Sequence, residues 1–264
     1  MSASTSSNSP AKVAIVTGAN RGIGKAIATR LAAAGLRVVI TARDAGLLEK
    51  AGEEIRGGGG TAVEVAGDLR QPEWAAELVA RAMEEFGRLD VVVNNAGATK
   101  RGIFPELSEA DWQDGFALKF FGAVRLIRAA WPQLKMNGGS VVNIAGIGGR
   151  TPGAEFTVGG SVNAALLSLT KALADQGVAD GVQVNAINPG RIKTDRLIKR
   201  VSALATERGL GTAEAEQEMI AAARVTRFGE PEEIADLVAY LVSPQGRLFQ
   251  GSLIDIDGGE TKGF

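Results

Sequence analysis

Short β-branched runs alternate along this chain with longer stretches rich in Ala and Leu. That alternation constrains the fold more than any other feature, because neighbouring parallel strands need a crossover, and the usual crossover is a helix packed on the sheet. The spacing predicts strands over Lys12–Thr17, Arg37–Thr41, Thr61–Ala66, Leu89–Asn94, Gly139–Ile144, Val182–Ile187 and Leu253–Ile256. Helices are expected near Ile23–Ala34, Ala45–Ile55, Pro72–Phe86, Ser108–Trp131, Val162–Gly177 and Pro231–Val242, with a broken helical stretch over Ile192–Val225. The expected fold class is α/β, a doubly wound parallel sheet of seven strands. One such domain, over residues 11–264, accounts for a chain of 264 residues of which 45% are hydrophobic. The Ser/Thr-rich segment 1–10 reads as a disordered tail. The glycines at 57–60 separate a helix from a strand only a few residues apart, so they read as a flexible loop and not as a domain linker.

Composition excludes several function classes. A net charge of −1 gives no case for nucleic acid, which calls for a clustered basic face. With no Cys there is neither a disulfide framework nor a thiolate metal site. With no His, the commonest transition-metal ligand and the usual near-neutral proton shuttle are both missing, and no metal centre is expected. No apolar run approaches the roughly 20 residues that span a bilayer. Met1–Pro10 lacks the apolar centre of a signal peptide. The expectation is a cytoplasmic protein with no membrane or nucleic-acid partner.

The first chemical motif is Thr17-Gly18-Ala19-Asn20-Arg21-Gly22-Ile23-Gly24, which follows the first strand and opens the first helix. Glycines let the backbone turn tightly and approach a pyrophosphate, and the helix N-terminus offers that anion free N–H groups. Asp68-Leu69 follows the third strand and Asn94-Asn95-Ala96-Gly97 the fourth, so several strand ends converge on one crevice. These motifs, with Asn188-Pro189-Gly190-Arg191-Ile192-Lys193-Thr194, Arg227–Ala235 and Asp257-Gly258-Gly259, resemble the short-chain dehydrogenase/reductase (SDR) family from about Ala11 to Gly259. The resemblance implies a Rossmann-type domain that binds a nicotinamide cofactor. The binding residues it implies are Gly18, Asn20, Arg21, Gly22, Ile23, Gly24, Arg43, Asp68 toward the adenine, Leu69, Asn95, Ala96, Gly97, Pro189, Gly190, Ile192 and Thr194.

Charge bears on which cofactor. Folds that prefer the unphosphorylated form usually place an acid at the end of the second strand, whereas a 2′-phosphate needs cations. Ala42 fills the acidic slot here, with Arg43 after it and Arg21 in the glycine turn, which favours NADP(H) and leaves NAD(H) possible beside Asp44.

In the resembled family a tyrosine acts as general acid/base, a lysine four residues later lowers its pKa, a serine orients the substrate and an asparagine holds a relay water. Register puts the serine slot at Gly146, the tyrosine slot at Gly159, the lysine slot at Asn163 and the asparagine slot at Lys119, so all four depart from the pattern. Lys119 and Asn163 are the catalytic candidates, with Glu155 and Thr157 secondary; Tyr240, the sole tyrosine, reads as a packed aromatic. Two functions are open: an oxidoreductase with an unusual site lacking the Asn-Ser-Tyr-Lys tetrad, or a catalytically inactive cofactor-binding regulatory or structural protein. Restoring all four groups together is expected to rebuild the family's chemistry.

The substrate is not named by the residues. The resemblance makes 191–227 a variable lid, in which Lys193, Arg196, Lys199 and Arg200 form either a surface for an anionic ligand or a solvated face balanced by Glu214, Glu216 and Glu218. A homo-oligomer, tetramer or dimer, is expected from Phe120, Leu126, Ile127, Leu166, Leu169 and Leu173 on the two helices that pair in family members.

Overall fold

A computed structural model describes residues 10–263. The tail read at 1–10 lies, except for Pro10, outside the described residues. Seven strands form one parallel sheet: β1 Val13–Thr17, β2 Arg37–Ala42, β3 Thr61–Ala66, β4 Val91–Asn94, β5 Ser140–Ile144, β6 Gln183–Pro189 and β7 Leu253–Ile256. Their order is β3-β2-β1-β4-β5-β6-β7, so the winding reverses between β1 and β4. Connections there leave in opposite directions and open a crevice at the C-terminal strand ends, where ligands of such sheets bind.

Side chains alternate across the strands and divide the interior into two layers. Val16, Ile40 and Val93 join Ile27 and Leu31 of α1 (Gly22–Ala33), Leu48 of α2 (Ala45–Gly57) and, much later in the chain, Ile234 and Val238 of α9 (Pro231–Leu241). Ile15, Val39 and Val92 point the other way, onto Leu78 of α3 (Trp74–Phe86) and Leu126 and Leu134 of α5 (Gly122–Asn137). Two further helices, α7 Asp195–Arg208 and α8 Thr212–Ala223, close a small separate core around Phe228.

Two expectations about helices need correction. The stretch expected as one helix over Ser108–Trp131 is α4 (Glu109–Gly115), a π-helical turn over Phe116–Phe121, and then α5, which runs through Pro132 to Asn137. α6 spans Thr157–Asp180, beginning before the expected Val162. Gly159 and Gly160 argue against helix by propensity, yet packing requires small residues: a Cβ on Gly160 would lie 2.8 Å from the Cβ of Pro152 and 2.9 Å from the carbonyl oxygen of Gly148. Of the apolar residues expected to mark an oligomer face, Leu126, Ile127 and Leu166 are consumed in the chain's own core; Phe121, which was not among those expected, is 46% exposed. No helix among the described residues is long and apolar enough to cross a membrane.

Candidate active-site cleft

The glycine turn is fixed by β4. The Thr17 hydroxyl oxygen accepts from the backbone N–H groups of Asn95 and Ala96, both at 3.0 Å. The Asn95 amide donates back to the carbonyls of Thr17 at 2.9 Å and Gly18 at 3.2 Å. Gly18 and Gly22 have φ of +65° and +53°, which cost glycine little and other residues much. A Cβ on Gly24 would sit 2.2 Å from the Gly18 carbonyl oxygen, so the turn can close only without one. α1 then starts with no side-chain cap from Arg21, leaving first-turn N–H groups for an anion.

From this turn a cleft of about 990 Å³ runs along the strand ends. Gly18, Asn20, Arg21, Gly22, Ile23, Gly24, Arg43, Leu69, Asn95, Ala96, Gly97, Pro189, Gly190, Ile192 and Thr194 all line it, as read from the sequence. Asp68 does not. Its carboxylate accepts from the backbone N–H of Arg70 at 3.0 Å and from the Arg70 guanidinium at 3.3 Å, which turns it away from the wall that Gly67 and Leu69 form. Asp44 lines the cleft, but its carboxylate caps α2 by accepting from Leu47 N–H at 2.9 Å.

At the far end stand Lys119, Gly146 and Asn163. Lys119 belongs to the π-helical turn, a distortion found frequently at functional sites. Its stem passes Gly97, where a Cβ would lie 2.8 Å from Lys119 Cδ, and its Nζ donates to the Ala145 carbonyl at 2.5 Å. Although part of the side chain faces the open cleft, burial, and secondarily the positive charge of Arg196, lower the Lys119 pKa from 10.5 to about 7. Asn163 is 3% exposed, and its Oδ1 is buried without a partner. An orphaned acceptor of this kind is costly, and here it fits a hydroxyl donor such as a ribose.

Gly159 does not reach the cleft. A Cβ there would fall 2.1 Å from the ring of Phe156 and 2.7 Å from Thr99 Oγ1, so Phe156 fills the space into which a side chain at 159 would grow. Restoring the four groups alone therefore meets a filled pocket, contrary to the expectation from sequence. Gly146 has φ of +139°, a conformation that side-chain-bearing residues rarely adopt. Glu155 is exposed, and the Thr157 hydroxyl, buried and unpartnered, is not part of the cleft wall, so neither secondary candidate joins the site. Tyr240 packs edge-to-face on Phe249. Among the described residues, no three acidic side chains gather as a metal-ligand set.

Sequence reading missed Phe156 and Arg101. Both line the cleft, and the Arg101 guanidinium lies over the Phe156 ring, 4.4 Å from its centroid. The signal was an aromatic three residues before a helix glycine, where i, i+3 neighbours meet.

A family model described as enoyl-(acyl carrier protein) reductase matches residues 18–261. An uncharacterised oxidoreductase of Mycobacterium tuberculosis is 38% identical over 95% of this chain and 92% of its own length. A 3-oxoacyl-(acyl-carrier-protein) reductase of Staphylococcus aureus is 32% identical over 94% and 97%. Among solved structures, L-sorbose reductase from Gluconobacter frateurii, complexed with NADPH and L-sorbose, superposes with a TM-score of 0.92 at 32% identity, covering 97% of this chain and 98% of that one. Actinorhodin polyketide ketoreductase with NADPH gives 0.89 at 31% identity, covering 96% and 98%.

Proposed function

The chain belongs to the short-chain dehydrogenase/reductase family, and from that premise we propose that it is an NADP(H)-dependent oxidoreductase in which Lys119 moves the proton. The glycine turn and the first turn of α1 hold the pyrophosphate, Arg21 and Arg43 meet the 2′-phosphate, and Asn163 Oδ1 accepts from a ribose hydroxyl. When bound, the reduced nicotinamide supplies a hydride to a carbonyl carbon. The carbonyl oxygen then needs a proton, which Lys119 as an ammonium gives; in the reverse direction the neutral amine takes it back. The observation that carries this reading is Lys119 itself, poised on the Ala145 carbonyl at 2.5 Å with a pKa of about 7, close to what a general acid working at neutral pH needs.

By register, Gly146, Gly159, Asn163 and Lys119 replace the Ser-Tyr-Lys-Asn set, and the filled space at Gly159 supports a proton route that does not pass through that position. The same filling gives some support to a second reading, an inactive cofactor-binding regulatory or structural protein. A screen of NADPH consumption over carbonyls, quinones and imines separates them: turnover that depends on Lys119 supports the enzyme, and no turnover with any acceptor supports the other. Association into a tetramer or dimer through α5 and α6 is part of the proposal, supported by the exposed ring of Phe121 in the π-helical turn just before α5.

NADPH is expected to bind more tightly than NADH, because Asp44 is occupied as a helix cap and Arg21 and Arg43 line the cleft beside it as candidates to meet a 2′-phosphate. Substituting both Arg21 and Arg43 with Ala should remove roughly tenfold or more of NADPH affinity, the value of one charge-assisted contact, and leave NADH affinity little changed. Equilibrium titration with both cofactors measures it; tighter binding of NADH by the parent protein would overturn the assignment.

A further inference from the structure

The charge of the cleft is out of proportion to the charge of the chain. Its walls carry eight cationic side chains and three carboxylates, in a protein of net charge −1. All three carboxylates are engaged: Asp44 caps α2, Asp195 faces Arg21 at 4.0 Å, and Glu260 pairs with Arg191 at 3.1 Å. Arg21 and Arg43 belong to the cofactor's phosphate end. Arg101, Arg196, Lys199 and Arg200 remain, and among the described residues none of the four has a carboxylate at salt-bridge distance.

Three of them gather at the end where Lys119 stands: Arg196 and Arg200 lie close enough to Arg101 to act on its charge, and Arg196 acts on Lys119. The Arg101 guanidinium lies over Phe156, the ring that fills the space beside Gly159. Burial, and then the like charges of Arg200, Arg191 and Arg196, hold Arg101 below the usual arginine range, with only Glu155 opposing. Lys193, the remaining cation of the basic stretch, is turned away and neutralised by Glu216 at 3.0 Å and Glu230 at 3.5 Å. The basic stretch is thus divided: one cation is spent in a solvated network, and three line the cleft. Like charges held together without counter-ions repel one another, and an anion placed among them removes that cost.

We propose that the substrate of this cleft carries a carboxylate or phosphate close to its reacting carbonyl, held by Arg101 and Arg200 while the carbonyl lies toward Lys119. The proposal rests on the oxidoreductase reading for the word substrate, but the anion site itself can be tested by binding alone. Calorimetric titration of the NADPH-saturated protein, whose phosphate sites are then filled, would compare succinate with succinamide and glycerol 3-phosphate with glycerol. At least one anion should bind about tenfold or more tightly than its neutral counterpart, and whichever pair shows the difference tells carboxylate from phosphate. The advantage should shrink as salt is raised, a comparison that needs no variant. It should be lost in the Arg101→Gln/Arg200→Gln protein, with NADPH affinity retained as the check on folding. Equal binding of anions and neutral partners, or an anion preference that survives the double substitution, would overturn the proposal. Failure of every carbonyl to turn over would count against the oxidoreductase reading, while the binding comparison would still decide for or against the anion site.

Discussion

Combining Gly146→Ser, Gly159→Tyr, Asn163→Lys and Lys119→Asn is expected to give a protein that is destabilised by several kcal/mol and no more active toward simple ketones than its parent. The reason is volume and backbone. A tyrosine at 159 must start 2.1 Å from the Phe156 ring, and overpacking of this kind typically costs about 1–3 kcal/mol. A serine at 146 must take φ of +139°, which adds strain on the order of 1–3 kcal/mol. Adding Phe156→Ala opens the space and should recover part of the stability. Only in that fivefold variant should NADPH oxidation with simple ketones rise, and by more than any subset gives, since acid, activator and relay act as a unit. Denaturant unfolding and a ketone panel measure both. A fourfold variant as stable as the parent and active would show that Phe156 moves aside freely and that the pocket is not remodelled.

The sheet and the glycine-turn end of the cleft were legible because both are written in local chemistry. β-branched runs set the strands, and glycines at 18, 22 and 24 can be replaced only at the cost of a positive φ or a collision. The ends of helices were less legible. The helix expected from Val162 begins at Thr157 and runs through Gly159 and Gly160, because close packing of Gly160 against Pro152 and Gly148 outweighs propensity. Asp68 was placed at the cleft by its position after β3, but the guanidinium two residues on claims its carboxylate. At the other end the sequence pointed to Lys119, Gly146 and Asn163, which line the cleft, and not to Phe156 and Arg101 beside them. Phe156 and Arg101 come from separate loops, and their stacking is a tertiary contact with no periodic signature.

Replacing Lys119 with methionine is expected to stabilise the protein at neutral and acid pH. In the folded chain Lys119 holds its proton only up to about pH 7, whereas in the unfolded chain it does so up to 10.5. Below 7 the full cost of burying the ammonium is present. Between 7 and 10.5 the unfolded state binds more protons, so this cost declines by roughly 1.4 kcal/mol per pH unit, and it is gone above 10.5. Methionine removes the cost and leaves the Ala145 carbonyl without its donor, an offset of about 1 kcal/mol. The gain should therefore reach a few kcal/mol below pH 7 and shrink toward zero or reverse near pH 10. Unfolding free energies of both proteins across this range measure it, and a gain that does not vary with pH would place the lysine's pKa at its ordinary value.

The most direct test of Lys119 as the proton donor is the pH dependence of NADPH oxidation, at saturating cofactor and limiting carbonyl, in the parent and in Lys119→Met. The parent's kcat/KM should fall as pH rises through about 7 or somewhat above it, since nearby phosphates favour the ammonium. The variant should run lower by ~10²–10⁴, the usual worth of a positioned general acid, with no break in that range. A variant that matches the parent in rate and profile would contradict the role assigned to Lys119.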